Sequence, residues 1–323
     1  MILKKIALAV TASMLAFATP SVASSYPDKP IVVVVPFPAG STSDMIPRLL
    51  GPHLTKSLGV PVVVENRPGA NGSIGAARVA TSAADGYTVL MVTTGIMAIN
   101  PWLYAKPTYN AEKDFTPIVN AASTPNMIVV HPSVKASNLK ELIAQAKAEP
   151  GALSFASAGN GSTSHICGEA LKVLGGVDIL HVPYQGPAPA LQDLLGNRVS
   201  MFCDNFSNVV EHARSGALKP IVVTASTPKD QLPNVPSSPQ AGYPELEAGN
   251  WYGFVAPTGT PKEIVEKLNK AFVDALRDPG IASKLEGVGL TVIADKPEEF
   301  KAFIAKESAR MKTIVEASKA RIP

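Results

Sequence analysis

The chain has 323 residues, 46% hydrophobic and 17% charged, which is enough to bury a sizeable core and suggests about two domains. Its 29 prolines and 24 glycines are scattered rather than clustered, so it is neither fibrous nor disordered but an α/β protein with many short connections. The formal charge of +3 falls to +1 once Lys4 and Lys5 leave with a leader, and a near-neutral protein argues against a nucleic-acid partner.

The leader is read from Lys4 and Lys5, an apolar run over 6–17, and the small residues Ser21-Val22-Ala23 at a cleavage site. Residues 1–23 are therefore expected to be a signal peptide, with the mature chain starting near Ser24, exported to the periplasm and soluble. The run is too short to span a bilayer, and no later stretch is long enough.

After Tyr26-Pro27, the β-branched run 31–35 predicts a strand buried on both faces. Pro36 and Pro38 end it, and Ser41, Thr42 or Ser43 can cap the next helix with Asp44 against its positive end. Ile46, Leu50, Leu54 and Leu58 give that helix an i+4 stripe, with a kink or break expected at Gly51-Pro52. A strand over 60–65, a Gly-rich turn at 70–76, a helix to Ala84 and a strand over 87–92 complete β-α-β-α-β. That order implies a parallel sheet with helices on both faces, and ligands bind beyond the carboxyl ends of such strands. Thr93-Thr94-Gly95 ends its strand at that edge.

Two extended runs, 114–120 and 126–131, are expected to be joined through Ser123-Thr124-Pro125. A helix capped by Asn138 and Glu141 leads to a second small-residue loop, SAGNGSTSH, which again opens a helix near Ser164. Strands over 177–182 and 199–203, with a helix between them, make a second βαβαβ unit; no fixed-period repeat accompanies it. A strand at 251–256 and two later helices return to the first unit. The expected division is 24–124 plus 226–323 as a discontinuous first domain and 125–225 as an inserted second, hinged where the chain crosses twice.

The chemistry concentrates in the two loops. Gly40, Ser41 and Thr42, with Gly159, Asn160, Gly161 and Ser162, supply flexible backbone and hydroxyl donors at two helix starts. One carboxylate shared between them could take several hydrogen bonds without any Arg or Lys. Either loop alone is an ordinary strand-to-helix turn; the pair makes a clamp. The glycines at 69, 72 and 75 have the wrong spacing for a dinucleotide fingerprint and are a packing device. A hydrolase using Ser162, Ser164, His165 and Asp204 lacks a nucleophile elbow, and His165 reads as a first-turn helix residue. The five histidines are too scattered for a metal site, and no cofactor is expected. Asp204 and Tyr184 end strands at the same sheet edge and are cleft candidates, whereas Trp251-Tyr252 is assigned to packing. Cys167 and Cys203, 36 positions apart, either form a disulfide or remain two small buried thiols.

The segments YPDKPIVVVVPFPAGSTSD, VVVENRPGANGSIGA, DGYTVL, SAGNGSTSH, HVPYQGPAPALQDLLGNRV and APTGTPKEIVEKLN occur in the order seen in one family. From Tyr26 onwards the chain resembles the periplasmic solute-binding receptors of tripartite tricarboxylate transporters, the Bug-type receptors. The resemblance implies an α/β Venus flytrap, a two-lobed periplasmic binding protein of type II-like form, each lobe a mostly parallel sheet flanked by helices. It implies a non-enzymatic monomer that captures a small carboxylate for large and small membrane subunits, or alternatively reports it to a signalling partner. It places the ligand against the loops 37–44 and 157–164, adding Phe37, Ala39, Asp44, Thr94, Gly95, Ser157 and Ser164 to the residues above. Ala39-Gly40-Ser41 stands where relatives often carry a run of glycines, and Cys167 and Cys203 where they carry aliphatic or aromatic residues.

Overall fold

The computed structural model describes residues 26–318 and 321–322. The expected signal peptide lies outside the described residues. The elements run β1 (Ile31–Val35), α1 (Thr42–Leu58), β2 (Val62–Asn66), α2 (Ser73–Ala80), β3 (Thr88–Thr93), α3 (Asn100–Leu103) and β4 (Phe115–Val130). They continue with α4 (Leu139–Ala148), β5 (Ser154–Ser157), α5 (Thr163–Gly175), β6 (Leu180–Pro183), α6 (Pro187–Leu195), β7 (Met201–Asn205), α7 (Phe206–Arg214) and β8 (Lys219–Val223). The return comprises β9 (Gly249–Pro257), α8 (Lys262–Leu276), α9 (Pro279–Gly287), β10 (Thr291–Val292) and α10 (Pro297–Ser318).

Two lobes share one long strand. The first half of β4 pairs with β9, which continues the order β2-β1-β3-β9-β4, and the second half pairs with β7 and β8, continuing to β5 and β6. The expected parallel pairing holds for β1 with β2 and β3, and for β5 with β6 and β7; β4 and β9 run antiparallel to their neighbours, so each sheet is mixed. Alternation along the strands sorts the core into layers. Ile31, Val33 and Val35 face α1 and α8, while Val34, Leu90 and Val92 face α2 and α10. In the second lobe Ile128 and Val130 face α4 and α5, and Met127 and Val129 face α6 and α7.

Three expectations about local structure are corrected. No break occurs at Gly51-Pro52: α1 runs unbroken through Pro47 and Pro52 to Leu58, because the buried stripe of Ile46, Leu50 and Leu54 clamps it to the sheet. It stops at Gly59, whose left-handed backbone (φ 76°) lets its N–H reach the Thr55 carbonyl. The two extended runs expected over 114–120 and 126–131 are one strand: β4 passes straight through Ser123-Thr124-Pro125, pairing Pro125 with Gly249. The strand expected over 177–182 is the shorter β6, since Val177 and Ile179 pack under α4 and α5 before the ladder begins.

Candidate functional site

The first loop is held by a buried carboxylate. Asp44, 3% exposed, accepts from the Gly40 N–H, from both approaches of Arg48 Nε and from Asn66 Nδ2, all at 2.8–2.9 Å. Burial works to raise its pKa, but the bonds from Arg48, Gly40 and Asn66 outweigh that and hold it below the usual carboxylate range. Asn66 also donates to the Phe37 carbonyl at 3.1 Å, so the turn is tied at both ends. Asp44 therefore shapes the loop with its own carboxylate fully engaged. Ser41, at the N-cap of α1, does not cap with its side chain; its Oγ is buried with no hydrogen-bond partner among the described residues. Thr42 turns its hydroxyl to Tyr252.

The second loop is tied within itself. Ser162 caps α5 by accepting from the His165 N–H at 3.2 Å and donates to the Gly159 carbonyl at 2.6 Å. Its Oγ also lies 2.9 Å from that of Ser164, which accepts from the Ala158 N–H. Ser157 accepts from the Gly159 N–H and pairs with His181 Nε2 at 2.6 Å. His181 is stacked between Phe155 and His165, with ring centroids 4.7 and 4.3 Å away. Burial first, then His181 and Lys172, pulls His165 down to about 3, and burial with Lys172 pulls His181 down to about 4, so both rings are neutral. Asn160 is exposed on the loop.

The two lobes touch at the second loop. A Cβ on Gly161 would fall 2.8 Å from both Asn71 Nδ2 and Asn100 Oδ1, and one on Gly95 would fall 2.8 Å from Asn71 and 3.3 Å from the Gly161 carbonyl. Only glycines allow that approach, and Gly161 (φ 82°) also needs the left-handed backbone. Beside that contact, Phe37 of the first loop packs with Ile96 around Gly72 within the first lobe. Ile166 of α5 enters the first lobe's apolar cluster, and α5 packs on α10.

Several expected residues have other engagements. Thr94 is fully buried, with Oγ1 accepting from the Trp251 N–H and its own N–H donating to Asn250. The Tyr184 hydroxyl donates to Asp193 at 2.8 Å, and burial with that neighbour pushes it up to about 12. Asp204, 3% exposed, accepts from Asn208 Nδ2 at 2.8 Å; burial pushes its carboxyl up to about 7 against the opposing Asn208 and Asn205 bonds. Ala39 lies exposed at the tip of the first loop. No Ser–His–Asp hydrogen-bond chain forms among the described residues: Ser162 caps a helix, His165 Nδ1 accepts from the Gly161 N–H, and Asp204 bonds Asn208. No group of three His, Cys, Asp or Glu that could hold a metal occurs among them. Cys167 and Cys203 form a disulfide, with Cα atoms 6.2 Å apart, which ties α5 to β7.

Sequence reasoning missed Asn71 and Asn100, which are joined at 2.9 Å within the first lobe and face Gly161 of the second, and the buried Asn126, Asn205 and Tyr252. The sequence assigns Tyr252 to packing, yet its hydroxyl accepts from Asn205 at 2.9 Å. The available signal was a carboxamide directly preceding an apolar strand, as in Asn126-Met127-Ile128-Val129-Val130.

A family model described as tripartite tricarboxylate transporter family receptor matches residues 46–319. The protein BugT of Bordetella pertussis is 37% identical over 306 residues, covering 94% of each chain. A structure of an R. palustris protein with adipate superposes with a TM-score of 0.85 at 34% identity, covering 91% of this chain and 98% of that one. MatC from Rhodopseudomonas palustris with bound malate gives 0.83 at 33% identity, covering 90% of this chain and 100% of the other.

Proposed function

The chain belongs to the tripartite tricarboxylate transporter receptor family, and from that premise we propose that it captures a small carboxylate between its lobes in the periplasm and releases it unchanged to large and small membrane subunits. The single observation that carries the site is the start of α1: the Ser41 hydroxyl is buried without a partner among the described residues, beside the N–H groups of Thr42 and Ser43, which lie too early in the helix for a partner within it. The second loop supplies the opposing wall through its backbone, since its serines are engaged in holding its shape. The ligand-binding set is Phe37, Ala39, Gly40, Ser41 and Thr42 from the first loop and Ser157, Gly159, Asn160, Gly161, Ser162 and Ser164 from the second, with Asp44, Thr94, Gly95, Tyr184 and Asp204 supporting its shape. Adipate and malate, bound by two similar proteins, support a carboxylate as cargo. The receptor works as a monomer without a cofactor and catalyses no reaction.

The hinge lies where three segments meet. The Asn126 N–H donates to the Ala248 carbonyl and the Thr224 N–H to the Asn126 carbonyl, both at 2.9 Å. The inserted domain of 125–225 carries 226–248 against it, since Val235, Leu246 and Ala248 pack into the second lobe's core. Thermal-shift screening of the purified protein against a carboxylate panel tests the function. A cargo at a hundred times its Kd adds about 2.7 kcal/mol of stability. A panel with no stabilising carboxylate would overturn the proposal.

A further inference from the structure

Asn126 is fully buried, and neither the nitrogen nor the oxygen of its carboxamide has a hydrogen-bond partner among the described residues. It sits opposite Asn205 in the β4–β7 register. Asn205 donates through Nδ2 to the Tyr252 hydroxyl at 2.9 Å, and its own buried Oδ1 has no partner among the described residues. Tyr252 in turn lies against Thr42 in the first turn of α1. The two carboxamides thus lie beneath the first clamp loop, where β4 passes from one lobe to the other.

Buried polar groups are almost always paired, so this floor is built for something that brings hydrogen bonds of its own. Asn126 presents a donor and an acceptor, and that count survives exchanging its N and O; Asn205 adds an acceptor. A carboxylate offers acceptors only. It would meet the Asn126 N–H2 but set its charge against two amide oxygens. An ammonium would satisfy the oxygens and leave the Asn126 N–H2 unmet. A primary carboxamide closes a paired ring with Asn126 and has a second N–H for Asn205 Oδ1. The neighbouring Asp204 is a buried carboxylate that accepts from Asn208 Nδ2 at 2.8 Å, so a second anionic group here would lie close to one already present.

We propose that the cargo's second polar group is a neutral carboxamide, hydrogen-bonded to Asn126 and Asn205, and that the receptor is selective for monoamides over dicarboxylates. This rests on the carboxylate-receptor reading above. Calorimetry on the mature protein compares succinate with succinamate, glutarate with glutaramate, and adipate with adipamate. At least one monoamide should bind roughly tenfold or more tightly than its dicarboxylate, because buried groups left unpaired penalise the wrong analogue. Asn126→Leu should erase that preference; should it fail to fold, the isosteric Asn126→Asp reads the same loss. Dicarboxylates binding as tightly as their monoamides, or an unchanged preference in a folded Asn126 variant, overturn the inference and leave the carboxylate reading standing. Failure of all six probes, together with a carboxylate panel that gives no binding, overturns both.

Discussion

Reducing the Cys167–Cys203 bond should weaken the fold and the clamp together. The bond closes a loop across a sequence separation of 36, between the helix that Ser162 caps and the strand that ends at Asp204 and Asn205. Restricting the unfolded chain by a loop of that length is worth about 4 kcal/mol in the loop-closure treatment. Both cysteines are fully buried, so the comparison is between oxidised and reduced wild-type protein, with no cavity introduced by substitution. The protein is reduced in denaturant, refolded with reductant present and followed by thermal melting. At about 2 °C per kcal/mol for a chain of this length, the corresponding fall in Tm is about 8 °C. Without the tether, α5 and β7 no longer share a fixed spacing, so carboxylate affinity should fall as well. A fully reduced sample, verified by intact mass, whose midpoint and affinity match the oxidised protein would refute the reasoning.

Gly95→Ala places a methyl 2.8 Å from Asn71 within the first lobe and 3.3 Å from the Gly161 carbonyl across the lobes, so calorimetry should show ligand affinity lowered by roughly tenfold (about 1.4 kcal/mol). Asp44→Asn puts an amide against donors from Gly40, Asn66 and Arg48 and should cost about 2 kcal/mol in urea unfolding. Because the native Asp44 pKa is depressed, its contribution is present above the unfolded carboxylate value and lost as pH falls through the native one; the substitution should flatten that acid limb. His165 and His181 are pulled down to about 3 and about 4, so the unfolded chain binds more protons between those values and the ordinary histidine value of 6.5. Stability should therefore be complete above that ordinary value and decline as pH drops towards 4, less steeply in His165→Phe; an identical slope in the variant would contradict the assignment.

Elements whose burial is written locally were legible. The run of valines in β1 and the i+4 stripe of α1 announce themselves, as do two small-residue loops ahead of helix starts. What depends on partners distant in the chain was not. Gly51-Pro52 looks like a break until the sheet beneath α1 is known, and Ser123-Thr124-Pro125 looks like a link between two strands until β9 lies alongside. The side chains of Asp44 and Tyr184 are of types that bind ligands, but their partners Asn66 and Asp193 are 22 and 9 positions away and engage them. The disulfide stayed open because Cα separation is not a sequence property. Asn126 and Asn205, 79 positions apart, become a pair only through the register of β4 and β7.

The account stands most directly on one titration. Calorimetry of the tightest carboxylate found in the panel, run into wild-type protein, Thr42→Trp and Ser162→Trp, asks whether the two helix starts form the clamp. The wild type should bind one equivalent with a micromolar or lower Kd, about −8 kcal/mol or better, and both variants should show no binding while still melting cooperatively. Folded variants that bind as the wild type does would contradict it.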